Sequence, residues 1–202
     1  MLILVCTGGI GSGKSYCAEI FSNLEIPVYA ADPMTKNLYL NDIELQSGLK
    51  ELLGIDIVVD NVLQREAMAN IIFSDREMLD RVNALVHPAV LNDFHKWRDA
   101  REQEGFNMVM IESAIYFEAP VFKGVADKSI VVVAPMEVRI ERVIKRDSSE
   151  NDSAVMERIA KQMSDEDRIA LADYVIYADG NRAVLPQIVE VFNDIKQDNG
   201  IR

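Results

Sequence analysis

The sequence predicts an α/β domain in which helices cover both faces of a parallel β-sheet. Short runs rich in apolar and β-branched residues alternate with longer segments in helical spacing, which is typical of parallel strands joined by helical crossovers. The short runs lie at residues 2–6, 27–29, 108–111, 129–133 and 174–177. A glycine-rich loop separates the first run from the first helical segment, a common connection in this fold class.

Several helical segments carry an apolar stripe, which we expect to pack in the core. The clearest stripes are Cys17, Ile20, Phe21 and Leu24; Met78, Leu79, Val82, Leu85 and Val86; and Val184, Ile188, Val191 and Ile195. Residues 33–104 hold several helical patterns and no central strand, so we expect a helical insertion that builds a substrate site. The charged segment 139–168 predicts two further helices joined by a polar loop at 147–153, and we expect it to move as a lid.

Length and charge limit the possible functions. The 202 residues suit one compact domain, and their net charge is -12. An excess of acid disfavours binding to nucleic acids and anionic membranes, because both attract surfaces rich in Lys and Arg. An anionic ligand must therefore meet a local basic site.

The apolar run at residues 1–6 has no basic residue before it and is too short for a signal peptide or a membrane span. The two cysteines, Cys6 and Cys17, lack the spacing of metal or redox sites, so we expect both side chains to be buried in the core. We also expect the protein to lie in a reducing compartment. These observations predict a cytoplasmic protein.

The glycine-rich loop, residues 8–15, matches the pattern G-x-x-x-x-G-K-[S/T] between a predicted strand and a predicted helix. Its glycines let backbone N–H groups wrap phosphate oxygens at a helix N-terminus, where the dipole favours negative charge. Lys14 would reach the β and γ phosphates, and the Ser15 hydroxyl would bind Mg²⁺. The residues expected to contact the nucleotide are Gly9, Gly11, Ser12, Gly13, Lys14, Ser15 and Tyr16.

The rest of the sequence narrows the class of nucleotide-binding protein. The N-K-x-D and D-x-x-G motifs of a GTPase do not follow the loop, and motors and transporters need larger domains. A small-molecule kinase fits this size. Two alternatives remain: a kinase for another small molecule or a nucleoside monophosphate, and a regulatory module that binds ATP without transferring phosphate.

Further motifs follow the loop in order. They are Ala31-Asp32, L-Q-R at 63–65, N-A-L-V-H-P at 83–88, Phe117-Glu118, Arg142 with Arg146-Asp147, and A-D-Y-V-I at 172–176 before Gly180. Together they resemble the dephospho-coenzyme A kinase family over essentially the whole chain. Where that family commonly has Asp, Asp and Asn, this chain has Ala30, Glu112 and Ala178. The change at Ala178 leaves the adenine contacts open.

The resemblance implies a three-layer P-loop kinase fold with a five-stranded parallel sheet. Within this single domain, the core would be residues 1–32, 105–138 and 169–202, the helical CoA-binding region residues 33–104, and the lid residues 139–168. The implied reaction uses ATP and Mg²⁺ to phosphorylate the ribose 3'-hydroxyl of dephospho-CoA, the last step of coenzyme A biosynthesis. We expect no nucleic acid, membrane or obligate protein partner.

Asp32 has two compatible interpretations. It directly precedes Pro33 and a helical run, which is the pattern of a helix start with Asp as N-cap. The resemblance implies that Asp32 is a catalytic residue beside the acceptor hydroxyl. The preceding strand should end at the same sheet edge as the phosphate-binding loop.

Arg139, Arg142 and Arg146 follow the spacing i, i+3 and i+7, which places them on one side of a helix. Such charge runs are usually solvated faces. The resemblance nevertheless implies a catalytic role for Arg142, and we expect Arg146 to contact the nucleotide; Arg139 receives no role. Weaker candidates of the same kind are Arg158, Gln162 and Arg168.

Three further residues are candidates for metal or substrate binding. Glu112 ends an apolar run, where it would either hold Mg²⁺ through water or cap a turn. The resemblance puts Arg65 and His87 near the CoA pocket. His87, which precedes Pro88, also fits an ordinary helix boundary.

Overall fold

The computed structural model describes residues 1–147 and 152–200, without the side chains of Phe73 and Ser74. The strands are β1 (Leu2–Thr7), β2 (Val28–Ala30), β3 (Val58–Val59), β4 (Val62–Leu63), β5 (Met108–Glu112), β6 (Lys128–Val133) and β7 (Tyr174–Tyr177). The helices are α1 (Lys14–Asn23), α2 (Ala31–Asn41), α3 (Ile43–Leu53), α4 (Arg65–Ser74), α5 (Arg76–Gln103), α6 (Met136–Arg146), α7 (Asp152–Ala160), α8 (Asp165–Leu171) and α9 (Val184–Asp198). The chain forms two compact units, one of residues 1–30 and 99–202 and one of residues 31–98.

The first unit contains the predicted parallel sheet. Within the described residues its strand order is β2-β5-β1-β6-β7, and each neighbouring pair is parallel. Side chains are buried along nearly all of β1, β5 and β6, as expected for a sheet covered on both faces. The predicted fold class is confirmed, and all five predicted strands occur within one residue of their expected starts.

The apolar stripes of α1 and α9 pack against one face of this sheet. Phe21, Ile188 and Ile195 belong to the same buried cluster as Met110 and Ile176 of the strands. These contacts confirm the helical stripes predicted for both helices.

Both cysteines are buried and free, as expected. Burial raises the pKa of the Cys17 thiol to about 12 and raises that of Cys6 well above its ordinary value. Both side chains therefore remain neutral thiols that act as small core residues.

The second unit is mainly helical, as predicted, and includes α2, α3, α4 and the part of α5 up to residue 98. It also contains an unpredicted antiparallel hairpin of β3 and β4, two residues each. Helix α5 continues through Pro88, so His87 lies within a helix and the helix-boundary interpretation is wrong.

The charged segment 139–168 contains most of α6, all of α7 and the beginning of α8, so a third helix joins the two that were predicted. The predicted loop at 147–153 lies mostly outside the described residues. Arg139 and Arg168, at the two ends of the segment, are only 5% and 1% exposed. No helix in the described ranges is long and apolar enough to cross a membrane.

Candidate active site

The phosphate-binding loop leads from β1 directly into α1. Gly13 precedes the helix with φ of 100°, a left-handed conformation that favours glycine. No side chain caps this helix N-terminus, and its first turn contains no acidic residue. The first N–H groups of α1, including that of Tyr16, therefore have no acceptor from a capping side chain, and the helix dipole favours an anion there.

A buried acidic side chain faces the two polar residues that end the loop. Glu112, the last residue of β5, is 5% exposed, and one of its carboxylate oxygens lies 3.6 Å from Nζ of Lys14. The Ser15 hydroxyl donates to the same oxygen at 3.3 Å. The arrangement joins a cation, a hydroxyl and a carboxylate at the loop. The two oxygen-bearing groups suit a hard cation such as Mg²⁺.

The Glu112 contacts fit an Mg²⁺ ion held beside Ser15. A dedicated protein cage for a metal is absent: among the described residues, no group of three or more His, Cys, Asp or Glu side chains could hold an ion. Mg²⁺ is usually held by one or two carboxylates together with waters and nucleotide phosphates, so the residues present fit it.

Arg142 and Arg146 both lie at the phosphate-binding loop. They line a cavity of about 150 Å³ together with Gly11, Gly13, Lys14, Ser15 and Val143. Arg142 donates to the carbonyl oxygens of Ser12 at 3.0 Å and of Ala178 at 2.8 Å. Its guanidinium thus bridges the phosphate-binding loop and the residue that follows β7.

Arg139, to which the sequence assigned no role, also binds the loop. Its Nε donates to the Ile10 carbonyl at 2.9 Å, and the Ile10 N–H donates to Oε1 of Gln162, also at 2.9 Å. The spacing of the three arginines was the available signal for Arg139, but the usual exposure of charge runs argued against its burial.

Four charged side chains connect α6 and α8 with the segment after β5. Asp165 accepts from Arg139 at 3.2 Å and, through its other oxygen, from Arg168 at 3.3 Å. Arg168 also pairs with Glu118. Burial lowers the pKa of Arg139, while the Asp165 carboxylate opposes that change. We call these four residues the charge network.

The second unit holds the remaining candidates. Asp32 is exposed in the first turn of α2; because this helix already begins at Ala31, the N-cap interpretation is wrong. Arg65 is the first residue of α4. His87 is half-buried within α5, and burial lowers the pKa of its imidazole.

Arg65 lines a cavity of about 320 Å³ within this unit, together with Lys36, Tyr39, Leu63, Met68, Ala69, Ile72, Leu79, Val82 and Asn83. Its lining combines two cationic side chains with a mainly apolar wall. His87 is not among the residues that line it. Lys36 was not singled out from the sequence, where nothing distinguishes it from other exposed lysines.

The fold and the loop geometry define a P-loop phosphotransferase. Comparisons with known proteins identify the family: the sequence model of the dephospho-CoA kinase family matches residues 2–183. The chain therefore belongs to the dephospho-CoA kinase family. This confirms the resemblance, the predicted kinase function in coenzyme A biosynthesis and the nucleotide-binding class.

Curated relatives agree along nearly the full length. A dephospho-CoA kinase from Bacteroides fragilis is 34% identical over 185 residues, which are 92% of this chain and 88% of the relative. One from Porphyromonas gingivalis is 33% identical over 196 residues, 97% of this chain and 95% of the relative.

Solved structures share the fold. The protein TT1252 from Thermus thermophilus aligns with a TM-score of 0.78 and 28% identity, covering 98% of this chain and 97% of that one. A dephospho-CoA kinase from Campylobacter jejuni aligns with a TM-score of 0.68 and 22% identity, covering 98% of each chain.

Proposed function

We propose that the chain transfers the γ-phosphoryl group of ATP to the ribose 3'-hydroxyl of dephospho-CoA, with Mg²⁺ as cofactor. The observation that carries this proposal is the contact of Lys14 and Ser15 with Glu112, beside a cavity lined by two arginines. In a chain of this family, that arrangement provides a phosphate cradle, oxygen ligands and positive charge at one place.

Each residue of the loop has a distinct role in this proposal. The backbone N–H groups of the loop and of the first turn of α1 bind the phosphate oxygens, and Lys14 neutralises charge on the β and γ phosphates. Ser15 and Glu112 would hold Mg²⁺, which neutralises charge on the phosphate oxygens when bound. Without nucleotide, Glu112 balances the charge of Lys14, because the two groups form an ion pair.

Arg142 and Arg146 supply further positive charge at the same cavity. Arg142 is held by the carbonyl oxygens of Gly11, Ser12 and Ala178, so its guanidinium is oriented before a nucleotide arrives. Arg146 is exposed and has no hydrogen bond or ion pair with another part of the chain that the structure describes. We propose that Arg142 stabilises the charge that develops during transfer and that Arg146 binds the nucleotide phosphates.

Asp32 is the proposed group that orients the acceptor hydroxyl and accepts its proton. It follows Ala30, the last residue of β2, by two positions, and Ala30 pairs in register with Glu112. Its carboxylate makes no hydrogen bond with the described residues, so it is not committed to a structural contact. Proton acceptance late in a loose transition state requires a positioned carboxylate rather than a strong base.

The cavity of the second unit is the proposed binding site for part of dephospho-CoA. Lys36 and Arg65 can pair with its anionic phosphates, and the apolar wall suits the less polar pantetheine arm. The role of His87 in binding dephospho-CoA remains a prediction. We also propose a cytoplasmic location, which the two free cysteines support.

A coupled assay of ADP release tests this function with four samples: dephospho-CoA, AMP, GMP and no acceptor. We expect turnover with dephospho-CoA to exceed turnover with AMP or GMP by about 100-fold or more, because a site built to pair with an acceptor discriminates strongly against partial analogues. Phosphorus NMR of the product should show a new 3'-phosphate monoester. Equal turnover with AMP would indicate another kinase, and nucleotide binding without ADP release would indicate a regulatory module.

A further inference from the structure

Both backbone groups of Ile10 are bound by side chains from outside the phosphate-binding loop. Arg139 Nε donates to its carbonyl oxygen and Gln162 Oε1 accepts from its N–H, each at 2.9 Å. Gly9 and Gly11 flank Ile10, and both approach Arg139 so closely that a Cβ atom on either would overlap it. Arg139 therefore packs directly against the phosphate-binding loop on both sides of Ile10.

This contact matters because Ile10 lies between two glycines. Glycine allows backbone conformations that other residues avoid. Within the loop, the Ser12 N–H donates to the Gly9 carbonyl at 3.2 Å and closes a turn around Ile10, but this bond leaves both backbone groups of Ile10 itself to partners outside the loop. Rotation there would also move the residues that follow, of which Gly11, Gly13 and Lys14 line the ligand cavity. An external donor and an external acceptor on Ile10 oppose such rotation.

We propose that Arg139 and Gln162 are positioning residues of the kinase, which hold the phosphate-binding loop in its ligand-binding conformation through the backbone of Ile10. The proposal deepens the proposed function, because it rests on nucleotide binding at this loop. Neither side chain needs to touch the nucleotide, and Gln162 already occupies the Ile10 N–H.

The partner of the loop is itself held in place. Met163, adjacent to Gln162, donates its N–H to Glu118 at 3.1 Å, and its carbonyl oxygen accepts from Arg168 at 2.6 Å. On the other side, Asp165 binds both Arg139 and Arg168. The charge network contains two guanidinium groups and two carboxylates, so its buried charges are balanced. Its function in this proposal is to fix Gln162 and Arg139 relative to the loop.

Gln162→Met is the principal test, because Gln162 is only half-buried, whereas loss of Arg139 would also leave Asp165 without one of its partners. Methionine keeps a similar length but cannot accept the Ile10 N–H. Gln162→Glu keeps the acceptor and adds charge that Arg139 can pair with. Lys161→Met is the matched control, because the neighbouring side chain is exposed.

Two measurements are made on each full-length variant. Amide hydrogen exchange by NMR reports on the Ile10 N–H, and titration with the fluorescent analogue mant-ATP reports on nucleotide affinity without an acceptor. In Gln162→Met we expect exchange at Ile10 to accelerate and the dissociation constant for mant-ATP to rise about 10-fold, the effect of leaving one donor unsatisfied. The KM for dephospho-CoA should stay within about twofold of that of the unmodified chain.

Gln162→Glu should recover most of the lost affinity, and Lys161→Met should match the unmodified chain. Faster exchange at Ile10 with unchanged mant-ATP affinity would overturn the proposal, because the contact would then be structural only. Unchanged exchange would overturn it as well. Failure of the proposed function is a separate result, because it appears in the unmodified chain as mant-ATP binding without dephospho-CoA turnover.

Discussion

Lys14 illustrates at the residue level how one ion pair prepares the site. The side chains of Lys14 and Glu112, which form this pair, are only 12% and 7% exposed. Lys14→Ala removes the charge that would stabilise the β and γ phosphates, so we expect kcat/KM for ATP to fall by about 100-fold or more, equivalent to roughly 3 kcal/mol.

Steady-state kinetics of ADP release measure this effect, with Lys145→Ala as the control because Lys145 is exposed on α6. A Lys14→Ala enzyme with near-normal kcat/KM would mean that the phosphates bind elsewhere.

Asp32 can be tested without disturbing the fold. Asp32→Asn keeps the size of the side chain and removes the proton acceptor, so we expect kcat to fall by roughly 100-fold. The change should cost less than about 1 kcal/mol in stability, since the carboxylate contributes only a favourable charge at the N-terminus of α2. Thermal unfolding and kcat are measured on the same preparation. Normal kcat per folded molecule would redirect the search for the proton acceptor to Glu112.

Arg142 joins two loops through a planar group. We expect Arg142→Ala to lower kcat by about 100-fold and to raise the KM for ATP by less than about 10-fold, because the charge that it meets develops mainly during transfer. Arg142→Lys should recover little of this loss, since an ammonium lacks the fork that reaches the carbonyl oxygens of Ser12 and Ala178 together. A raised KM with normal kcat would contradict this role.

At the level of elements, the sheet could be predicted because its strands are buried on both faces. Such strands appear in a sequence as short, continuous apolar runs, and each run here became a strand. The hairpin of β3 and β4 was not predicted because strands of two residues are too short to show an alternating apolar pattern. Helix α5 continues through Pro88 because tertiary packing can outweigh the loss of one backbone hydrogen bond there.

The candidate site likewise has one part that the sequence predicts and one part that it does not. The loop was predictable from contiguous residues whose spacing expresses their chemistry. The charge network pairs residues 50 positions apart, Glu118 and Arg168, and its charged side chains are individually typical of exposed surfaces. Only the folded chain shows that Arg139 and Arg168 are buried with two carboxylates.

The anchoring of α8 leads to a prediction about stability. Arg168 is 1% exposed and pairs with Glu118 and Asp165, whereas Arg182 pairs with Asp179 at an exposed position. We expect Arg168→Ala to lower the free energy of unfolding by about 3 kcal/mol, because it removes the ion pair of Glu118 and leaves Asp165 with Arg139 alone. Arg182→Ala should cost less than about 1 kcal/mol. Equal effects in urea denaturation would show that burial of Arg168 adds nothing.

For the molecule as a whole, charge is unevenly distributed. A chain with a net charge of -12 repels a nucleotide at long range, so affinity has to come from cations close to the phosphates. Lys14, Arg142 and Arg146 line one small cavity, where this positive charge is concentrated. Salt should therefore weaken the long-range repulsion as well as the local attraction.

The stability of the whole molecule also depends on pH. Histidine is the side chain that ordinarily titrates between pH 5 and 8, and His87 is one of two in the chain. Burial lowers the pKa of His87 below its usual value of 6.5 because the charged imidazolium is desolvated. The unfolded chain therefore binds a proton at this residue at a higher pH than the folded chain does.

This difference predicts a loss of stability on acidification. The stability contributed by neutral His87 is fully present above pH 6.5 and is lost as the pH falls through the lowered pKa of the folded state. We expect the free energy of unfolding in urea to decrease between pH 7.5 and pH 5.5, and His87→Gln to reduce this decrease. His95→Gln removes the other imidazole and serves as the matched variant. An equally steep decrease in His87→Gln would assign the pH dependence to other groups and contradict the prediction.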